Sequence, residues 1–170
     1  MKTMNIDDMF PEQHSFEENW DFQLDYYTQV ENILKRNAGH FVSVTIADEF
    51  KDKKQATDFV VIIDGGEISV RIRRDNCKFR DLTIRSVNKG MKTEIHKIME
   101  GFSRYYLYCW TKQKRITEWI FVDLDKFRES GLLESPRSDI NNFDGTLFKA
   151  YSIQELHQND CLIAKQLEPQ

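Results

Sequence analysis

Asp58, Arg71, Arg73 and Arg74 are the residues of this chain whose types and spacing suit chemistry. They lie at the two ends of one stretch, DFVVIIDGGEISVRIRR, from Asp58 to Arg74. Two apolar-rich segments meet there at Gly65-Gly66, which predicts a tight hairpin with Asp64 opposite Glu67 and Asp58 opposite Arg73. Alternation along each strand sends Asp58, Arg71 and Arg73 to one face. It sends Phe59, Val61, Ile63, Ile68, Val70 and Ile72 to the other. A carboxylate beside two guanidiniums is either an ion pair within the sheet or part of a phosphate-handling site. The guanidinium fork matches phosphate oxygens two at a time.

Further cations extend this group: Arg80, Arg85, Lys92 and Lys97. From Arg71 to Arg115 the chain holds 13 Lys and Arg against 4 Asp and Glu. The remainder holds 11 against 24, although the whole chain carries only −4. A concentrated basic segment is a candidate surface for the phosphate backbone of DNA or RNA. The alternative is that the two parts neutralise each other across the fold. Lys92, Thr93 and Glu94 open a predicted helix, whose free N–H groups can hold an anion; Glu94 there equally complements the helix dipole. Phe102, Tyr105, Tyr106, Tyr108 and Trp110, with Trp119 and Phe121 beyond, either stack bases beside the arginines or pack a core.

Along the chain, residues 1–20 read as an acidic arm without periodicity, and residues 21–170 as one domain. A helix is predicted over 22–35, carrying Glu31, followed by a strand over 41–46 and a charged loop over 48–57. The hairpin strands occupy 58–64 and 67–74, and a further short strand 82–86. The apolar spacing of Ile95, Ile98, Met99, Phe102, Tyr106 and Cys109 predicts a long helix over 92–110. A strand over 116–122, a short helix over 124–130 stopped by Gly131, a loop over 132–144 and an edge strand over 146–151 follow. Ser152 and Glu155 form a capping box for a last short helix. The fold class is therefore α/β (α+β): an αβββαβ core, with a central mixed sheet flanked by helices and a small C-terminal α/β appendage.

This order, with the hairpin inside it, resembles the PD-(D/E)XK, or restriction-endonuclease-like, nuclease superfamily over roughly residues 22–123. The resemblance implies that Asp58 is the metal-binding acid opening the second core strand and that Glu31 is the helper acid on the first helix. It implies Mg²⁺ or Mn²⁺ as cofactor. Where the superfamily has (D/E)-x-K, this chain has Arg71-Ile72-Arg73. Arg71 cannot ligate a cation, and Arg73 can stabilise phosphate charge but stays protonated and is no base. Glu67 is about 20 Å along the strand from Arg73, too far to replace the lost acid. Glu94 can take over that role, as in variant members.

The leading expectation is a nucleic-acid-handling protein, either a divergent metal-dependent nuclease or a binder that kept the fold without the chemistry. Catalytic candidates are Asp58, Arg73, Glu94 and Glu31, with Asp58 as the metal ligand. Phosphate-binding candidates are Arg71, Arg73, Arg74, Arg80, Arg85, Lys92 and Lys97. The alternatives are a protein-binding inhibitor or adaptor and a binder of nucleotides or other phosphate esters. A small single domain suits a phage or mobile-element protein. No apolar run approaches the length needed to cross a bilayer. Cys77, Cys109 and Cys161 make neither a disulfide framework nor a zinc spacing, which favours a reduced, cytoplasmic setting. His14, His40, His96 and His157 show no ligand spacing, and no P-loop, GxGxxG, GxSxG or HExxH sequence occurs.

Overall fold

A computed structural model describes residues 16–37, 41–46, 59–63, 66–74, 80–87, 93–136, 138–141 and 145–168. In order these form α1 (Phe16–Asn37), β1 (Phe41–Ile46), β2 (Phe59–Ile63), β3 (Gly66–Arg73), β4 (Asp81–Val87), α2 (Glu94–Met99), β5 (Tyr105–Lys112) and β6 (Arg115–Asp123). There follow α3 (Leu124–Glu129), a 3₁₀ turn (Leu132–Glu134), β7 (Ser138–Asn141), β8 (Leu147–Ser152), α4 (Ile153–Gln158) and β9 (Leu162–Gln166). The class is α+β. Six strands make a mixed sheet in the order β1-β2-β3-β5-β6-β9, with β3 and β5 parallel and the other neighbours antiparallel. A second, antiparallel sheet runs β4-β8-β7.

Each face of the large sheet has its own core. Val61, Ile68, Val70 and Ile72 join Leu107, Cys109, Trp119 and Phe121 on the face covered by α1, through Tyr26, Val30 and Leu34. Fully burying side chains of this size contributes about 1.5–3 kcal/mol each. On the opposite face, Tyr106, Tyr108, Trp110, Ile120 and Val122 pack against Leu82 and Ile84 of β4, Ile95 and Ile98 of α2, and Leu124 and Phe127 of α3. The polar alternates of β3 (Glu67, Ser69, Arg71 and Arg73) belong to this second face by strand parity.

The hairpin keeps the expected faces but not the expected register. Phe59 pairs with Val70, Val61 with Ile68 and Ile63 with Gly66, so Glu67 faces Ile62 rather than Asp64. A slip of two residues preserves which side chains point to the core, and the apolar pattern alone cannot distinguish the two pairings.

The predicted helix over 92–110 is corrected. Only Glu94–Met99 is helical, and Tyr105–Lys112 is a strand. Gly101, at φ +76°, ends the helix: its N–H donates to Ile98 O at 3.1 Å while Phe102 N–H donates to Lys97 O at 3.2 Å. This is a Schellman stop, which a left-handed glycine makes inexpensive. The 132–144 segment is not all loop, since it holds the 3₁₀ turn and β7, and β8 is central to the small sheet rather than an edge. The helix α1 starts at Phe16, inside the segment read as an arm, and β9 is an added edge strand on β6. The Ser152–Glu155 capping box is present, with Glu155 N–H donating to Ser152 Oγ at 3.1 Å and Ser152 N–H to Glu155 Oε2 at 2.9 Å.

Candidate phosphate-binding site

The parallel pairing of β3 with β5 fixes the site. Ser69 lies beside Tyr106, Arg71 beside Tyr108 and Arg73 beside Trp110. The Arg73 guanidinium stands 6.0 Å from the centre of the Tyr108 ring. Tyr106, Tyr108 and Trp110 are buried, and Tyr108 packs edge-on against Trp110 at 5.0 Å. They form a buried floor under β3, whose Arg71 and Arg73 are half-buried.

The small sheet brings a second arginine strand to this floor. Tyr108 Oη and Thr83 Oγ1 of β4 are hydrogen-bonded at 2.7 Å. Thr83 and Arg85 share one side of β4, and Arg85 rests 5.3 Å from the ring of Phe148, its partner on β8. The Thr83–Tyr108 bond thus links the strand that carries Arg85 to the neighbour of the strand that carries Arg71 and Arg73.

Glu94 is the carboxylate at this junction. It is buried; its Oε2 accepts from Arg85 N–H at 3.1 Å and its Oε1 accepts from the Tyr106 hydroxyl. Burial raises the Tyr106 phenol well above its ordinary pKa, the negative charge of Glu94 adds to this, and Arg71 opposes it. Lys97, also buried, joins Glu94, Ser69, Ser103, Tyr106 and Phe102 around a small pocket. The Ser69 hydroxyl donates to Ser103 Oγ at 2.9 Å. The pocket offers about 20 Å³, room for roughly one water, and no nucleotide fits in it.

The remaining candidates are placed elsewhere. Arg80 is ion-paired with Glu118, a buried acid that sequence reasoning did not single out, and lies 5.7 Å from the Trp110 ring centre. Arg74 turns toward the α1 side, 4.1 Å from the ring of Phe22. Glu31 sits on α1, on the far face of the sheet from Glu94, and pairs with Lys35 at 3.1 Å. Asp58 and Lys92 lie outside the described residues. The six-residue α2 is no long helix with an open N-terminus: Thr93 N–H donates to His96 Nδ1 at 3.4 Å, and the Thr93 hydroxyl donates to Ser86 O at 3.2 Å.

A divalent cation needs several oxygen donors, commonly more than one carboxylate. Among the described residues no three His, Cys, Asp or Glu side chains converge, and both Glu94 oxygens already accept hydrogen bonds. The described donor set does not fit Mg²⁺ or Mn²⁺. Ser69 and Ser103 are parts of the site not assigned to it from sequence; of the two readings of Tyr106 and Tyr108, base stacking or core packing, the structure shows core packing. In YYLYCW the aromatics Tyr106, Tyr108 and Trp110 alternate at period two with Leu107 and Cys109, and that is the signal that sets the tyrosines on one face.

No family model matches the chain, and no curated protein matches it. Among the described residues, no helix is long and apolar enough to cross a membrane.

Proposed function

We propose that this protein handles nucleic acid, binding the phosphate backbone through Arg71, Arg73 and Arg85. The observation that carries this reading is that two arginine-bearing strands of separate sheets, β3 and β4, both flank β5, with Arg73 by the Tyr108 ring and Thr83 of β4 bonded to the Tyr108 hydroxyl. The Arg73 and Arg85 guanidiniums, placed beside the rings of Tyr108 and Phe148, lose little further freedom when they bind an anion, and the forked N–H groups of arginine suit phosphate. The surrounding segment from Arg71 to Arg115 is strongly basic within an acidic chain, which steers a polyanion to this part of the molecule.

The arrangement favours binding over cleavage. Arg71 stands where the PD-(D/E)XK pattern has its second acid, and Glu94 is committed to Tyr106 and Arg85. Labelled duplex DNA and RNA titrated at decreasing salt test the reading. It predicts a Kd of roughly 10⁻⁴ to 10⁻⁶ M near physiological salt that tightens steeply as salt falls. No binding at low salt contradicts it. Added Mg²⁺ or Mn²⁺ then separates binder from nuclease: cleavage that Asp58→Ala abolishes would make the protein a divergent nuclease.

A further inference from the structure

We infer that the site takes the sugar–phosphate backbone without reading or stacking bases, so that recognition is independent of nucleotide sequence. This rests on the nucleic-acid reading above and narrows its substrate class. Base stacking needs an open aromatic face. Tyr106, Tyr108 and Trp110 expose 2%, 0% and 1% of their surface, so no face of the floor is open to a base. Their own face is packed against Leu82, Ile84, Ile95 and Ile98, and the cations beside them are Arg73, 6.0 Å from the Tyr108 ring centre, and Arg80, 5.7 Å from that of Trp110. The rings therefore act as supports for cations, and the cations present N–H donors, the complement of phosphate oxygens.

Apart from the arginines and Lys97, the hydroxyl and carboxylate groups near the floor are engaged with one another. The Thr83 hydroxyl is bonded to Tyr108, Ser69 to Ser103, and Glu94 to Tyr106 and Arg85. Phe102 is the one aromatic bordering the pocket that is well exposed, at 44%. It lies at the Ser69 end of β3, beyond Arg71, and a single ring there offers no run of platforms for successive bases.

Competition against a fluorescent mixed-sequence DNA duplex at low salt tests this, with three competitors matched in phosphate concentration: oligo-dA, oligo-dT and inorganic polyphosphate. The inference expects oligo-dA and oligo-dT to compete within about threefold of each other. It expects polyphosphate, which has no bases, to displace the duplex, and Phe102→Ala to bind within about twofold of the parent. A preference above about tenfold for one homopolymer overturns it. So does failure of polyphosphate to displace a bound duplex, or a loss above about tenfold in Phe102→Ala. Failure of the duplex itself to bind overturns the nucleic-acid reading instead, which keeps the two outcomes apart.

Discussion

Tyr108 Oη and Thr83 Oγ1 lie 2.7 Å apart and tie the large sheet to the small one. Through this bond, β5, whose neighbour β3 carries Arg71 and Arg73, is held against β4, which carries Arg85. Tyr108→Phe keeps the ring and removes the bond. It should cost about 0.5–1.5 kcal/mol in chemical denaturation. Thr83→Val should cost a similar amount, and the double variant should cost clearly less than the sum, because both changes remove the same bond. Additive losses would show that the two hydroxyls do not interact.

Glu94 is predicted to be structural before it is anything else. Glu94→Ala leaves the Tyr106 hydroxyl and the Arg85 N–H without an acceptor in a buried setting. The loss should be about 2–4 kcal/mol. Glu94→Gln, which retains an acceptor and the volume, should lose less. Equal losses in urea melts would contradict the assigned contacts.

The Tyr106 phenol supplies a pH signature. Its pKa in the folded protein lies well above the ordinary 10.0, because burial and the charge of Glu94 both disfavour the phenolate. Above pH 10 the unfolded chain therefore releases a proton that the folded chain retains, and stability falls as pH rises. The contribution is fully present below pH 10. Tyr106→Phe should flatten the alkaline limb of a stability–pH curve. An unchanged slope above pH 10 would contradict the burial argument.

Arg80 separates stability from binding. Its partner Glu118 is buried, so Arg80→Gln leaves a carboxylate without its cation. A loss of about 1.5–3 kcal/mol is expected, with a smaller effect on DNA affinity than Arg71→Gln or Arg73→Gln. The opposite ranking, measured by thermal melts and anisotropy on the same proteins, would place Arg80 in the binding site proper.

The β2–β3 hairpin faces were legible because a strand with one side in the core must alternate, and Val61, Ile68, Val70 and Ile72 do so. The register was not legible, since a two-residue slip leaves that alternation intact. The 92–110 segment misled for a physical reason. A strand buried on both faces is apolar throughout, and β5 places Tyr106, Tyr108 and Trp110 in one core while Leu107 and Cys109 enter the other. Joined to the short helix before it, that run imitates helical spacing. Gly101-Phe102-Ser103 was the stop signal. The arginines could be picked out by composition, but their placement on two different sheets depends on β4 leaving the large sheet to found a second one, and nothing local encodes that. The Glu118 partner of Arg80 lies 38 residues away, beyond any local pattern.

The central claim is that Arg71 and Arg73 contact phosphate, and the salt dependence of duplex binding tests it most directly. Log K against log salt should be linear for the parent protein. The Arg71→Gln/Arg73→Gln variant should bind more weakly, with a slope shallower by about 0.9 for each phosphate that it no longer neutralises. Lys35→Gln/Arg36→Gln, which removes two exposed cations from α1 on the other side of the sheet, should leave the slope nearly unchanged. If the β3 variant is folded by its melting curve yet keeps the parent slope, or if both double variants lose slope equally, the account is contradicted.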